Sequence, residues 1–292
     1  MTTQAFPRYA LAFTIGVLFA ATACAPALGQ QQQDFSKVEV KTLKLADDFY
    51  ALEGAGGTIS VLTGPDGVLL VDSQFAPLTG KLVAAIRQLS DKPIRFLIDT
   101  HVHGDHTGGN ENFANLGATI FSRAQLRARL VQPNPAANGT PGIPAPAQAL
   151  PIVTYDNAVT LHLNGEVVEL LPIRKAHTDG DTLVRFAAHD ILATGDYFRS
   201  VGYPNIDIAN GGSLKGLLDG LAQTIALAGP NTRVIPGHGP ITDRAALIAH
   251  RQLIDEVLAS KPTAEFDSRV PQSAQTTERF VKGLYAELKS AR

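Results

Sequence analysis

One pattern occurs twice along this chain and constrains its fold more than any other feature. An apolar run at 68–72 ends in Asp72, a helical stretch follows at 78–90, and a second apolar run from 94 leads into His101. The same order returns as an apolar run at 191–196 ending in Asp196, a helical stretch at 213–228, and a run from 233 into His238. Leu78, Leu82, Ile86 and Leu89 are spaced 4, 4 and 3 apart, which puts them on one helix face; Leu214, Leu217, Leu218, Leu221 and Ile225 share a face in the second stretch. Strands alternating with helices in two similar halves predict an α/β fold. Its two mixed sheets pack together with helices outside, and the polar strand ends of both halves meet along one edge. Separate domains divided at the Pro-rich stretch 131–151 are the other arrangement, but the chemistry described below needs residues from both sides.

Of the 292 residues, 45% are hydrophobic and 18% charged, enough apolar material for a sizeable core. Lys+Arg 25 against Asp+Glu 27 gives a net charge of −2 with no long basic run, which excludes the electrostatic footprint of a nucleic-acid binder. The longest apolar run, residues 10–21, is too short for a membrane span of roughly 20 residues. With Arg8 before it and small residues after it, the run reads as a secretion signal. Ala27-Leu28-Gly29 has the small-x-small form of a cleavage site, as does Ala21-Thr22-Ala23. The expectation is therefore a cleaved signal peptide at 1–29 and a single domain with C-terminal helices at 30–292, in the periplasm or secreted. Cys24, the only cysteine, lies in the removed segment; a lipid anchor on Cys24 is the alternative. A chain cut after Gly29 has no disulfide and no thiolate metal ligand.

Further strands are expected at 38–45, 49–52, 59–63, 118–121, 159–163, 167–172 and 182–186, with Gly64-Pro65-Asp66-Gly67 as a hairpin turn. Gly54-Ala55-Gly56-Gly57 reads as a flexible tip. Helices are expected at 122–130 and 243–260. A last amphipathic helix would carry Phe280, Val281, Leu284, Tyr285 and Leu288. Residues 131–151 hold six prolines and read as a long loop of the kind that forms lids or binding sites.

The chemistry is concentrated in Thr100-His101-Val102-His103-Gly104-Asp105-His106. His101 and His103 are two apart in extended chain and share a side, Gly104 permits a sharp turn, and Asp105 and His106 add a carboxylate and a third imidazole. Imidazoles and carboxylates are donors for borderline cations such as zinc, and four of them exceed the three that one catalytic zinc needs. The missing ligands appear later as His177 in a polar loop between strands, Asp196 after a strand and His238 in Pro236-Gly237-His238-Gly239. His162, His189 and His250 lie outside these patterns and read as structural or exposed.

His-x-His-x-Asp-His, then a lone His, a Gly-Asp and a Pro-Gly-His-Gly in that order resemble the metallo-β-lactamase-fold hydrolases over about residues 45–260. The resemblance implies a four-layer αββα sandwich. It also implies one metal site of His101, His103 and His177, a second of Asp105, His106 and His238, and Asp196 bridging them. Asp72 would organise the metal loop without binding metal, and Asp99 departs from the small polar residue common before Thr100. The implied cofactors are two Zn2+, with iron or manganese as alternatives. The implied reaction is hydrolysis of an acyl bond in a small molecule by a metal-bridging hydroxide, which Asp105 would orient, with β-lactamase-like activity. Lactonase or glyoxalase II-like thioesterase activity is one alternative, and a mononuclear iron persulfide dioxygenase is another. Related lactonases carry Tyr three residues beyond the bridging Asp, where this chain has Arg199. Tyr203 and Asn205, in the segment after Asp196, are expected to shape the substrate pocket.

Overall fold

Seven strands form the first sheet in chain order: β1 (Lys41–Lys44), β2 (Phe49–Glu53), β3 (Ile59–Leu62), β4 (Val68–Val71), β5 (Ile94–Ile98), β6 (Thr119–Arg123) and β7 (Val153–Tyr155). The first four run antiparallel, and β4 to β7 are parallel. The second sheet comprises β8 (Val159–Leu163), β9 (Glu166–Pro172), β10 (Thr182–Phe186), β11 (Ile191–Gly195) and β12 (Arg233–Pro236), in the order β12-β11-β10-β9-β8. Its one parallel pair is β11 with β12. The helices are α1 (Thr79–Leu89), α2 (Gly104–Thr107), α3 (Asn110–Asn115), α4 (Ala124–Val131), α5 (Leu214–Leu227) and α6 (Arg244–Ser260). This computed structural model describes residues 33–135, 139–260 and Phe280. The chain from Phe35 onward forms one compact unit.

Period-2 alternation in the strands explains the layers. Leu69 and Val71 of β4 join Phe49, Ile98 and Phe121 in a buried cluster with Val168, Val184, Phe186 and Ile235, so the two sheets pack face to face. Phe49 meets Phe186 edge-on at 4.6 Å across that interface. Val68 and Leu70 point the other way, into a cluster with Leu78, Leu82 and Ile86, which lie on α1 or lead into it. On the outer face of the second sheet, Leu217 and Leu221 of α5 and Leu247 and Ile254 of α6 bury Leu183, Leu192 and Val234. Burying each such side chain is worth about 1.5–3 kcal/mol. The result is helix, sheet, sheet, helix, as the repeated pattern predicted.

The structure departs from the sequence reading at a few edges. The expected strand at 38–45 shrinks to β1, whose four residues are all exposed and include two lysines, a common way to blunt a sheet edge. β7, just past the Pro-rich stretch 131–151 where the sequence predicts no strand, pairs parallel to β6. β6 runs on to Arg123, whose buried guanidinium donates from Nη1 to the Ile173 carbonyl at 3.2 Å, so α4 begins only at Ala124. Of the expected last helix only Phe280 lies among the described residues.

Candidate metal centre

The parallel crossovers bring β4, β5, β11 and β12 to one edge, and each ends in residues of the cluster. Asp72 follows β4 with a left-handed φ of 68°, which a short polar side chain tolerates better than a bulky one. There its carboxylate accepts from the Thr100 N–H at 2.7 Å, the Thr100 hydroxyl at 2.8 Å and His106 Nδ1 at 2.7 Å. Asp72 thereby holds the loop after β5 and orients two of its members.

Two groups of candidate ligands form. Single donor atoms of His101, His103, His177 and Asp196 lie within 4.8 Å of one another, as do those of Asp105, His106 and His238. Asp196 touches both sets: Oδ1 lies 2.7 Å from His238 Nδ1 and 3.5 Å from His106 Nε2, and Oδ2 lies 4.0 Å from His177 Nε2. Asp105 Oδ2 lies 3.1 Å from His238 Nε2. His101, His106, His177 and Asp196 are buried, whereas His103, Asp105 and His238 are partly exposed and form the open side.

Four imidazoles have one ring nitrogen tied to a protein oxygen. His101 Nδ1 faces the Thr100 hydroxyl at 3.1 Å, and that hydroxyl spends its proton on Asp72. His106 Nδ1 faces Asp72, His177 Nδ1 the Asn205 carbonyl at 2.6 Å, and His103 Nε2 the Asp207 carboxylate at 2.7 Å. Each such bond fixes the ring's orientation and, in the neutral imidazole, leaves the opposite nitrogen as a lone pair. Nε2 of His101 and of His106 are buried with no hydrogen-bond partner among the described residues. His177 Nε2 and His103 Nδ1 face each other at 3.0 Å, which two lone pairs tolerate only with a shared proton or cation beside them. This donor set fits a zinc-like cation.

The electrostatics divide the imidazoles into two groups. Burial, reinforced by neighbouring imidazoles, holds His101 well below the usual histidine range and pushes His177 down to about 4, so both favour the neutral form that metals bind. For His106 burial is overcome by Asp72 and Asp196, which draw it up. For His238 burial is overcome by hydrogen bonds to Asp105 and Asp196. Asp105, despite burial, is brought to about 2 by its hydrogen bond to His238 and the charge of His106. The carboxylates thus call for positive charge, which protons or cations supply.

Close packing of glycines completes the loops. A Cβ on Gly57 would strike the His106 ring, and one on Gly237 would strike Asp196 Oδ1. The segment 54–57 is therefore a packed wall rather than the flexible tip its composition suggested; Gly57 N–H donates to the Asp105 carbonyl at 3.0 Å. Asp99 is buried and accepts from Asn110 Nδ2 at 2.8 Å, bracing α3.

Tyr203 and Asn205, expected to shape the substrate pocket, do not line the cavity beside the centre. Tyr203 is buried in the hydrophobic cluster of α5 and α6, stacked on Phe280 at 5.2 Å. Asn205 acts through its backbone carbonyl on His177. Asp207, two residues on, escaped the sequence reading because no local motif marks a residue 104 positions from the His103 that it orients. A cavity of about 390 Å³ adjoins the centre, bounded by His103 and Asp207 on one side and by Leu130, Pro133, Pro135 and Ile143 on the other. Residues 133–135 and Ile143 of the Pro-rich stretch thus belong to one wall.

Residues 52–239 match the Metallo-beta-lactamase superfamily. A metallo-beta-lactamase type 2 from Bacillus cereus is 27% identical over 189 residues, 64% of this chain and 69% of that protein. A hydroxyacylglutathione hydrolase from Nitrosococcus oceani is 30% identical over 200 residues, 68% of each chain. Among solved structures, a metallo-beta-lactamase from Pontibacter korlensis superposes with a TM-score of 0.61 at 19% identity, covering 74% of this chain and 99% of that one. The DIM-1 metallo-beta-lactamase superposes with a TM-score of 0.62 at 20% identity, covering 76% and 100%. With the family match spanning every candidate ligand, the chain belongs to the metallo-β-lactamase superfamily and is a metal-dependent hydrolase.

Proposed function

We propose that this protein is an exported two-zinc hydrolase that cleaves the acyl bond of a small molecule, with β-lactam hydrolysis among its activities. One observation carries the reading: four imidazoles are each tied to a protein acceptor through one nitrogen, which leaves the other free toward a shared space with two carboxylates. His101, His103 and His177 would hold one ion, Asp105, His106 and His238 the other, and Asp196 would reach both. Bound there, the ions supply Lewis acidity and lower the pKa of water toward neutrality.

The chain's own groups do the rest. Asp105 is ionised at neutral pH and partly exposed, so its carboxylate can accept a hydrogen bond from an attacking water and orient it. Asp207 and Asn205 hold His103 and His177 against rotation. The cavity beside His103 receives the substrate body against Leu130, Pro133 and Ile143.

Thioester hydrolysis is the second reading, favoured by the likeness to a hydroxyacylglutathione hydrolase over two thirds of both chains. Metal analysis of purified protein, followed by rates on a β-lactam, a lactone and a thioester, tests both readings. About two zinc per chain with β-lactam turnover is the expected result, and thioester turnover alone selects the second reading. One iron per chain without hydrolysis of any of the three overturns both. Export is tested by N-terminal sequencing of the protein from a periplasmic fraction, with Gln30 as the expected first residue.

A further inference from the structure

A second cavity, of about 340 Å³, is lined by none of the seven candidate ligands. One wall is residues 198–200, which follow Asp196, and another is residues 240–242, which follow His238. The third is a stripe of α6, where Ala246, Ala249, His250 and Leu253 recur at helical spacing.

Among the described residues, two buried nitrogens without a hydrogen-bond partner belong to residues that line this cavity: Arg199 Nε and His250 Nε2. Among the described residues no carboxylate pairs with Arg199, although most of the chain's other partly buried cations have one or donate to carbonyls. His250 is buried, and Phe198 meets its ring edge-on at 5.2 Å. Burial and the nearby Arg199 charge push His250 down to about 4, so at neutral pH it is an uncharged imidazole with one N–H to donate.

A guanidinium partly withdrawn from water with no counter-ion is costly, and its planar fork matches a carboxylate. The remaining lining is mostly apolar, with Phe198, Ile241 and Leu253 prominent. The volume falls at the lower end of the range for small-molecule sites, roughly 300–1,000 Å³. We propose that this cavity is a second binding site, for a small organic monocarboxylate whose carboxylate pairs with Arg199 and His250 and whose compact apolar body packs on Phe198 and α6. The site is separate from the candidate metal centre and does not depend on which acyl compound is hydrolysed.

Calorimetric titration of the metal-loaded protein with phenylacetate tests this, with phenylacetamide as the uncharged isostere. Phenylacetate should bind one to one, and the amide at least tenfold more weakly. Arg199→Gln, which removes the charge, and Ala246→Phe, which fills the cavity, should each weaken phenylacetate binding at least tenfold while metal content stays unchanged. His103→Ala, at the candidate metal centre, should leave phenylacetate binding intact. Wild-type affinity in both Arg199→Gln and Ala246→Phe overturns the proposal. So does absence of binding to the unaltered protein, or loss confined to His103→Ala, which would put the acid on the metals.

Discussion

At the scale of single residues, the centre depends on groups that act by holding the candidate ligands in place. Asp207 supplies the oxygen that fixes the His103 ring, and it is partly buried. Removing a partner of this kind typically costs 10–100-fold in metal affinity or activity. Asp207→Ala is expected to weaken metal binding by about that factor, read by competition with a chromophoric chelator; unchanged affinity would mean that packing alone orients His103. Asp196 carries a larger share because its two oxygens face both sets of imidazoles. Asp196→Asn should lower turnover about a hundredfold in a protein that stays folded by circular dichroism, since a neutral amide balances two dications poorly. Near-normal rates with two metals bound would remove it from the bridging position.

At the scale of elements, the loops that carry the ligands are only as rigid as the helices behind them. Tyr203 is buried in the outer cluster that α5 and α6 share, with its ring nearly parallel to Phe280 at an interplanar angle of 4°. Its segment also presents the Asn205 carbonyl to His177, so packing of an aromatic side chain in a core sets the position of a backbone oxygen at the centre. Tyr203→Ala leaves a large cavity and is expected to destabilise the fold by about 3–5 kcal/mol, seen as a lower urea midpoint. Rates on lactam, lactone and thioester should then change by one common factor. A change in selectivity at unaltered stability would return Tyr203 to the substrate pocket.

At the scale of the whole molecule, the two sheets are joined by more than apolar burial. His189 lies in the turn after β10; its Nδ1 meets Glu166 at 2.5 Å and its Nε2 meets Asp48 at 2.8 Å, which links the second sheet to the turn between β1 and β2. Burial lowers its affinity for a proton, but the two carboxylates outweigh burial and raise its pKa above the usual 6.5. A raised folded pKa gives stability that is complete below the unfolded value and is lost as pH climbs through the folded one. The stability difference between the unaltered protein and His189→Gln should therefore be larger at pH 6 than at pH 9 in urea unfolding; equal differences would show that the ring stays neutral. The seven candidate ligands could be read from the chain because donor type, glycine neighbours and position after an apolar run are local properties. The layered fold could be read because hydrophobic period reports which face of an element is buried. Asp207 on His103, Arg123 on the Ile173 carbonyl, Tyr203 against Phe280 and Arg199 beside His250 could not be read, since each joins distant or motif-free positions. Spacing along a chain determines which side chains share a face, whereas the partner that a buried polar group or ring finds is decided only when the layers close around it.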